Sequence, residues 1–285
     1  MNYKNINYSY PNNIANIQLN RPDALNAFNM DLITELESAL TEVKASQNIK
    51  LLIISANGRA FSAGADLIYF KSVVSDPKEL QRYIRKLNEV FFLIERLPIP
   101  TLCVVQGFAL AGGLELMLCC DLVMAAKSAQ FGDQHINFGL IPGGGSSKRL
   151  AERIGKQQAL ELMISGRWMD SEEALRTSLV YKVVDDADLE TTVTDFAENI
   201  NSKSRASLCN IKTLINHSNY AARDNAIAFE NNMFVKYVSS HKDPLEGLNA
   251  FSTCLKKASA ETDFNLLSNL KRQRTSILNF FKDLS

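Results

Sequence analysis

The chain has 285 residues, 46% of them hydrophobic, so it can bury a sizeable core as one large domain or one domain with a helical appendage. Lysine plus arginine total 31 and aspartate plus glutamate also total 31, which gives a formal net charge of zero. We therefore expect no global basic field for binding nucleic acid or an anionic membrane. The first residues lack the apolar core of a signal peptide, and we expect a cytoplasmic protein.

Strand and helix patterns alternate along the first part of the chain. Residues 14–19 alternate like a half-buried strand, and residues 30–47 place leucines at helical spacing. An apolar run at 50–55 predicts another strand, and an amphipathic pattern over 80–94 predicts a helix that ends before Pro98. Strands followed by helices favour α/β layers.

A glycine-rich segment follows a predicted buried strand at 101–105 and precedes an apolar helix. Unpaired N–H groups and the positive dipole end at a helix start stabilise negative charge without a cationic side chain. A helix that begins near Gly112 places Glu115 about one turn in, beside any group held on those amides. The alternative is a buried helix start that uses small residues for packing, with Glu115 as a first-turn charge.

The second half of the sequence contains one more predicted strand, at 121–125, and is helical from about Leu189 onward. The run Gly143–Lys148 lacks the Gly-Lys-Ser/Thr order of a phosphate loop and the spacing of a dinucleotide fingerprint. We expect its glycines to form a tight turn that lines a pocket and leads into a helix. No Gly-x-Ser-x-Gly elbow occurs, so a serine hydrolase is not expected.

The cysteines and histidines do not indicate a metal site. The five cysteines lack CxxC spacing and are interpreted as buried, reduced thiols, with a redox role as the alternative; they are Cys103, Cys119, Cys120, Cys209 and Cys254. His217 and His241 lie among polar residues, as surface histidines do. We assign no metal.

Four motifs stand in an order that resembles one enzyme family. They are LNRPDALNA at 19–27, RAFSAGADL at 59–67, QGFALAGGLEL at 106–116 and IPGGG at 141–145. In the second motif, Asp66 is a good N-cap for a following helix. Together the motifs resemble the crotonase (enoyl-CoA hydratase/isomerase) superfamily over about residues 15–184, and more weakly to about residue 257.

The resemblance implies a spiral of ββα units with a helical C-terminal region. We expect a crotonase core over 1–200, a helical trimerisation region over 201–260 and a helical C-terminal extension over 261–285. It also implies trimers, often paired into hexamers, an acyl-CoA thioester substrate in fatty acid metabolism, and no cofactor other than the substrate's coenzyme A.

Site residues follow from the same resemblance, position by position. The Ala65 and Gly112 amides match an oxyanion hole, and Glu115 matches the first catalytic glutamate of the hydratases. Arg59 is a candidate for the ribose phosphate, with a solvated surface arginine as the alternative. The backbone positions expected to hold the adenosine end of coenzyme A are Ala24, Leu25 and Ala63.

One catalytic position departs from the family pattern. By motif alignment the second catalytic glutamate falls at position 135, where this chain has His135. An imidazole can donate or accept a proton near neutral pH, and it stabilises an ionised Glu115 where a second carboxylate would compete. The alternative is that His135 only hydrogen-bonds within the pocket wall while Glu115 works alone. Asp133 is a candidate for orienting the ring, with a solvated aspartate as its alternative.

We therefore expect an enoyl-CoA hydratase or dehydratase, a lyase in which Glu115 activates water and His135 completes proton delivery. Because family members with another second residue isomerise, decarboxylate or hydrolyse thioesters, these reactions on CoA or carrier-protein thioesters stay open. A non-catalytic scaffold that binds acyl-CoA or RNA is an alternative of another class.

The C-terminal segment is the second departure from the family pattern. Apolar residues recur at helical spacing from Phe264 to Phe281, with basic residues between them. We expect this segment to pack on its own or a neighbouring subunit, and a membrane-surface helix is the alternative.

Overall fold

Two β-sheets run through the computed structural model, which describes residues 3–249. The strands are β1 (Ile6–Ser9), β2 (Ile14–Leu19), β3 (Leu51–Ala56), β4 (Thr101–Val105), β5 (Phe108–Leu110), β6 (Leu122–Ala126), β7 (Gln130–Gly132), β8 (Met169–Asp170) and β9 (Lys182–Val184). The six-stranded sheet has the order β1-β2-β3-β4-β6-β9, and the three-stranded sheet has the order β5-β7-β8. β1 is antiparallel to β2, and each later pair in the large sheet is parallel.

Helices connect most of the strands, and several begin at a capping side chain. The helices are α1 (Met30–Ala45), α2 (Leu67–Val73), α3 (Pro77–Glu95), α4 (Gly112–Leu118), α5 (Ser146–Ile154), α6 (Lys156–Ser165), α7 (Ser171–Arg176), α8 (Leu189–Asn201), α9 (Arg205–Ser218) and α10 (Arg223–Ser240). Asn29, Asp66 and Asp76 accept hydrogen bonds from the first free amides of α1, α2 and α3. The predicted cap at Asp66 is confirmed.

The chain moves repeatedly from the large sheet to the small one. β4 is followed by β5 and then α4, and β6 is followed by β7, so each pass adds one strand to each sheet. Apolar side chains of β2, α1, α3 and α4 meet in one core, where Ile17, Leu36, Phe91 and Leu116 are fully buried. The predicted α/β fold is confirmed, and its small second sheet carries β5 directly into the start of α4.

The chain divides into a unit that ends at Asn216 and a second unit from His217, of which the structure describes residues up to 249. The first unit includes most of α9, whose side chains bind its loops, and the predicted boundaries at residues 200 and 260 stay predictions. Lys212 Nζ lies 2.7 Å from Asp121 Oδ2 and 3.1 Å from the Ile99 carbonyl oxygen.

In the second unit, His217 stacks on Phe229 with ring centroids 4.1 Å apart. Both His217 and His241 are exposed. The predicted extension over 261–285 and Cys254 lie outside the described residues. Among the residues that the structure describes, no helix has the length and apolar character needed to cross a bilayer.

Truncation of the core should cost stability in proportion to burial. Leu36 is 0% exposed, so Leu36→Ala should lower the free energy of unfolding by about 2–5 kcal/mol through lost transfer energy and a residual cavity. Urea unfolding measures the change. Leu160→Ala, on a side chain that is 53% exposed, is the control and should change it by less than about 0.5 kcal/mol. Equal losses in both variants would contradict the assigned core.

Candidate active site

A cavity of about 960 Å³ opens in the first unit, with mostly apolar walls. The loops after β2 and β3 form one side, the start of α4 and the turn before α5 form another, and α3 closes a third. The charged or titratable groups among its lining residues include Arg21, Asp23, Asp66, Glu115 and His135. An apolar pocket with a few convergent polar groups is the usual form of a small-molecule site.

The loop after β3 packs directly on the start of α4. A Cβ added to Gly64, whose φ is +96°, would lie 2.9 Å from the Gly112 nitrogen. The loop is fixed by Phe28, whose N–H donates to the Gly64 carbonyl at 2.7 Å and whose carbonyl accepts from Asp66 N–H at 3.0 Å. Only a residue without a side chain fits this contact, so Gly64 brings the neighbouring Ala65 amide close to that of Gly112.

The Ala65 and Gly112 amides both border the cavity. Within residues 3–249, neither N–H donates a hydrogen bond to a protein group. Ala111, at φ 48° and ψ −119°, turns the chain so that α4 starts at Gly112 without a side-chain cap. The fold thus leaves two main-chain donors beside one cavity, which is the arrangement that stabilises an oxyanion.

The Glu115 carboxylate is buried and held by the turn before α5. Its side chain borders the cavity, although the residue is only 1% exposed. Oε1 accepts hydrogen bonds from Gly144 N–H at 2.7 Å and Ser146 N–H at 3.2 Å. Burial raises the pKa of Glu115, and this effect outweighs the lowering by His135 and by the two amides. A carboxylate with a raised pKa is suited to exchange protons near neutral pH.

His135 borders the same cavity and is oriented by Asp133. Its Nδ1 lies 2.7 Å from Asp133 Oδ1. Burial lowers the pKa of His135, but the hydrogen bond and charge of Asp133, with the charge of Glu115, raise it overall. Because an ionised carboxylate only accepts hydrogen bonds, Nδ1 carries the proton in this pair and Nε2 is left for another partner.

Asp133 is not solvated, which excludes one of the alternatives drawn from the sequence. Its residue is 1% exposed. Burial raises the pKa of Asp133, but hydrogen bonding and charge from His135 together with the nearby Ser146 hydroxyl lower it overall. Within residues 3–249, the buried Asp133 Oδ2 and Ser146 Oγ atoms have no partner at hydrogen-bonding geometry, although the two groups lie near each other.

The structure brings most of the predicted site residues to one place. The cavity lining includes Ala24, Leu25, Ala63, Ala65, Gly112, Glu115 and His135. Asp133 lies behind His135. Arg59 is exposed and does not border this cavity. The individual roles of these residues stay predictions. No group of three or more metal-ligating side chains occurs within residues 3–249.

Sequence reasoning missed the groups that hold the site together. The Gly143–Gly145 run is placed as a turn at the cavity and leads into α5, but its hydrogen bonds to Glu115 were not predicted. Asn26 was also missed, although it is buried at a φ of 54°. Its Nδ2 donates to the carbonyls of Asn57 and Ala60, at 2.8 and 2.9 Å, and joins the loops after β2 and β3. The available signal was an asparagine inside the first motif, because asparagine tolerates a left-handed backbone and its amide can bind main-chain carbonyls.

The family model for enoyl-CoA hydratase/isomerase matches residues 9–259. The chain belongs to this family. Crotonyl-CoA hydratase of Syntrophomonas wolfei is 34% identical over 252 residues, which cover 88% of this chain and 96% of the relative. Short-chain-enoyl-CoA hydratase of Clostridium acetobutylicum is 31% identical over 252 residues, which cover 88% and 95% of the two chains.

Solved structures of the enoyl-CoA hydratase/isomerase family have the same fold. The crystal structure of an enoyl-CoA hydratase from Bacillus anthracis superposes with a TM-score of 0.84 at 30% identity, covering 88% of this chain and 96% of that one. The crotonase-type architecture predicted from the four motifs is confirmed.

The hydrogen bond between Asp133 and His135 predicts a measurable effect on proton binding. Asp133→Asn should lower the pKa of His135, because the carboxylate that favours the imidazolium is lost. NMR titration of the His135 ring protons, assigned by their absence in His135→Ala, checks this. Asp31→Asn is the control, because Asp31 is an exposed residue of α1, and it should leave the pKa of His135 at the wild-type value. An unchanged titration in Asp133→Asn would contradict the assigned contact.

Proposed function

We propose that this protein adds water to the double bond of a 2-enoyl-CoA thioester and catalyses the reverse dehydration. The observation that supports this most directly is the unpaired Ala65 and Gly112 amides in one cavity with the Glu115 carboxylate and the His135 imidazole. Family membership and the hydratase names of the relatives support the same reaction.

In this proposal the thioester carbonyl oxygen accepts hydrogen bonds from the amides of Ala65 and Gly112. Negative charge grows on that oxygen as the enolate forms, so the donors stabilise the transition state more than the ground state. Each donor of this kind is worth about 3 kcal/mol in other enzymes. Main-chain amides need no reorganisation when the charge develops, because the Gly64 contact fixes them in advance.

Proton transfer is divided between the two titratable side chains. The Glu115 carboxylate takes a proton from water as the water oxygen bonds to the β-carbon. The His135 imidazolium gives its Nε2 proton to the α-carbon of the enolate. Hydration therefore starts from an ionised Glu115 and a charged His135, and Asp133 favours that charged state.

The remaining parts of the proposal rest on the family resemblance. The backbone around Ala24, Leu25 and Ala63 holds the adenosine end of coenzyme A, and Arg59 contacts the ribose phosphate. No cofactor is needed beyond the coenzyme A of the substrate. The protein acts in fatty acid metabolism as a trimer or a pair of trimers. The cytoplasmic location, expected from the sequence and not from the resemblance, is part of the same proposal.

Loss of either proton-transfer group should slow hydration. With crotonyl-CoA or a longer 2-enoyl-CoA, Glu115→Gln and His135→Ala should each lower kcat about 10²- to 10⁴-fold. Loss of the absorbance of the conjugated thioester measures the rate. The exposed changes Glu89→Gln and His241→Ala are matched controls and should keep wild-type rates. Full activity in His135→Ala would assign the chemistry to Glu115 alone.

The reaction class is tested by product masses from a panel of acyl thioesters. Gain of one water supports hydration. Release of carbon dioxide or free coenzyme A, or a double bond that moves without a mass change, would replace the hydratase proposal by a decarboxylase, a thioesterase or an isomerase. A tight, salt-sensitive RNA complex without turnover would support the scaffold alternative.

The contact between the two amide loops should be necessary for turnover. Gly64→Ala introduces a Cβ 2.9 Å from the Gly112 nitrogen, so the amides should separate and kcat should fall about 10²-fold. Gly155→Ala is the control. Gly155 also has a positive φ, +85°, but among the described residues other than its two chain neighbours no atom would lie within 4 Å of an added Cβ. It should lose stability without losing kcat. Equal activity of the two variants would contradict the oxyanion assignment.

A further inference from the structure

Gly144 is held on both sides, by Glu115 and by Arg149. Its N–H donates to Glu115 Oε1 at 2.7 Å. Its carbonyl oxygen accepts a hydrogen bond from Arg149 Nη1. Any movement of the Arg149 guanidinium therefore shifts the residue that binds the Glu115 carboxylate.

Arg149 is itself fixed by Glu95, the last residue of α3. Nε and Nη2 of the guanidinium lie 2.6 and 3.0 Å from the two Glu95 carboxylate oxygens, which is a bidentate geometry. The Arg149 side chain is 10% exposed, and its guanidinium carbon lies 5.6 Å from the centre of the Phe92 ring. Three independent contacts leave the guanidinium little freedom to move.

The glycines of the turn are what allow this arrangement. A Cβ on Gly145, where φ is +98°, would overlap the Arg149 guanidinium. A Cβ on Gly144 would come within 2.7 Å of both the Glu115 carboxyl carbon and the Phe91 ring. Neither position can take a side chain without displacing Arg149 or Glu115.

We propose that Arg149, anchored by Glu95, is a positioning residue that fixes the Gly144 amide on the Glu115 carboxylate. Arg149 is absent from the lining of the cavity, so it acts through Gly144 and does not touch substrate. The inference rests on the proposed role of Glu115 as the base. Arg149 also interacts electrostatically with Glu115, and the paired Glu95 carboxylate offsets part of that charge effect, so the charge-conserving change Arg149→Lys isolates the geometric part.

The expected effect has a definite direction. Arg149 interacts electrostatically with Glu115, as do His135, Asp133, Tyr83 and Cys119. The Gly144 hydrogen bond lowers the pKa of Glu115 against the effect of burial. When Arg149 is lost this hydrogen bond weakens, so the pKa of Glu115 rises further and the acid limb of kcat/KM moves to higher pH.

The test uses Arg149→Met and Arg149→Lys in the full-length protein. We expect Arg149→Met to lower kcat about 10- to 100-fold and to raise the carboxyl pKa of Glu115. Arg149→Lys keeps the charge but cannot bind Glu95 and Gly144 with one planar group. Its kcat and its Glu115 pKa should lie between those of Arg149→Met and the wild-type protein. Isotope-edited infrared titration measures the pKa of the Glu115 carboxyl, whose absorption band is assigned by its absence in Glu115→Gln.

Lys148→Met is the matched control, since it removes one positive charge from the same helix at a side chain that is 70% exposed. It should leave kcat and the Glu115 titration at wild-type values. A shift as large as that of Arg149→Met would show a general charge effect and overturn the proposal. An unchanged Glu115 pKa in a folded Arg149→Met protein would also overturn it. Where Arg149→Met does not fold, Arg149→Lys takes its place, because it keeps the positive charge and loses the planar contact; it should lower kcat and raise the Glu115 pKa, and an unchanged pKa would overturn the proposal.

The infrared titration needs no turnover. It therefore tests the positioning role even where no enoyl thioester is consumed, and a failure of the hydratase proposal stays distinguishable from a failure of this one.

Discussion

The contact between Gly64 and the start of α4 is the constraint on which the site depends. It leaves no room for a Cβ next to the Gly112 nitrogen, and it joins two loops that belong to different turns of the spiral. Each loop alone is an ordinary strand-to-helix connection. Together they leave two main-chain donors unpaired at a cavity wall, a state that costs free energy unless a ligand or water satisfies them. The fold therefore presents two hydrogen-bond donors to a ligand or water in the cavity, as the proposed oxyanion hole requires.

The substitution at position 135 changes the electrostatics of the cavity. Two neighbouring carboxylates compete for ionisation, whereas an imidazole beside Glu115 favours its charged form. Asp133 sits behind His135 and favours the imidazolium in turn. The result is a row of alternating charge, Asp133, His135 and Glu115, in which each group stabilises the ionised state of its neighbour. In the proposed reaction, this arrangement supplies both a base and an acid in an apolar cavity.

Much of the fold could be predicted from periodicity, because α1, α3, β2 and β3 each have a regular apolar pattern within a short segment. The helix start at Gly112 and the position of Glu115 were indicated by the local glycine-rich pattern, whereas the pairing of the Ala65 and Gly112 amides came from motif resemblance, since nothing local shows that they meet. Contacts such as Arg149 with Glu95 could not be predicted. They join residues of separate helices whose approach depends on how the whole first unit packs.

Glu115 and His135, the proposed proton-transfer groups, are both supported from the side away from the cavity. Glu115 is held by main-chain amides of the turn before α5, and His135 is held by the buried Asp133. Supports of this kind restrict the side chains without occupying the space that a substrate needs, so the geometry is set before binding. Because Ser146 gives its amide to Glu115 while its hydroxyl lies near Asp133, the two supports meet in one residue. A displacement of the turn before α5 would therefore disturb Glu115 and His135 together, which is a physical reason for the Gly144–Arg149–Glu95 contact behind it.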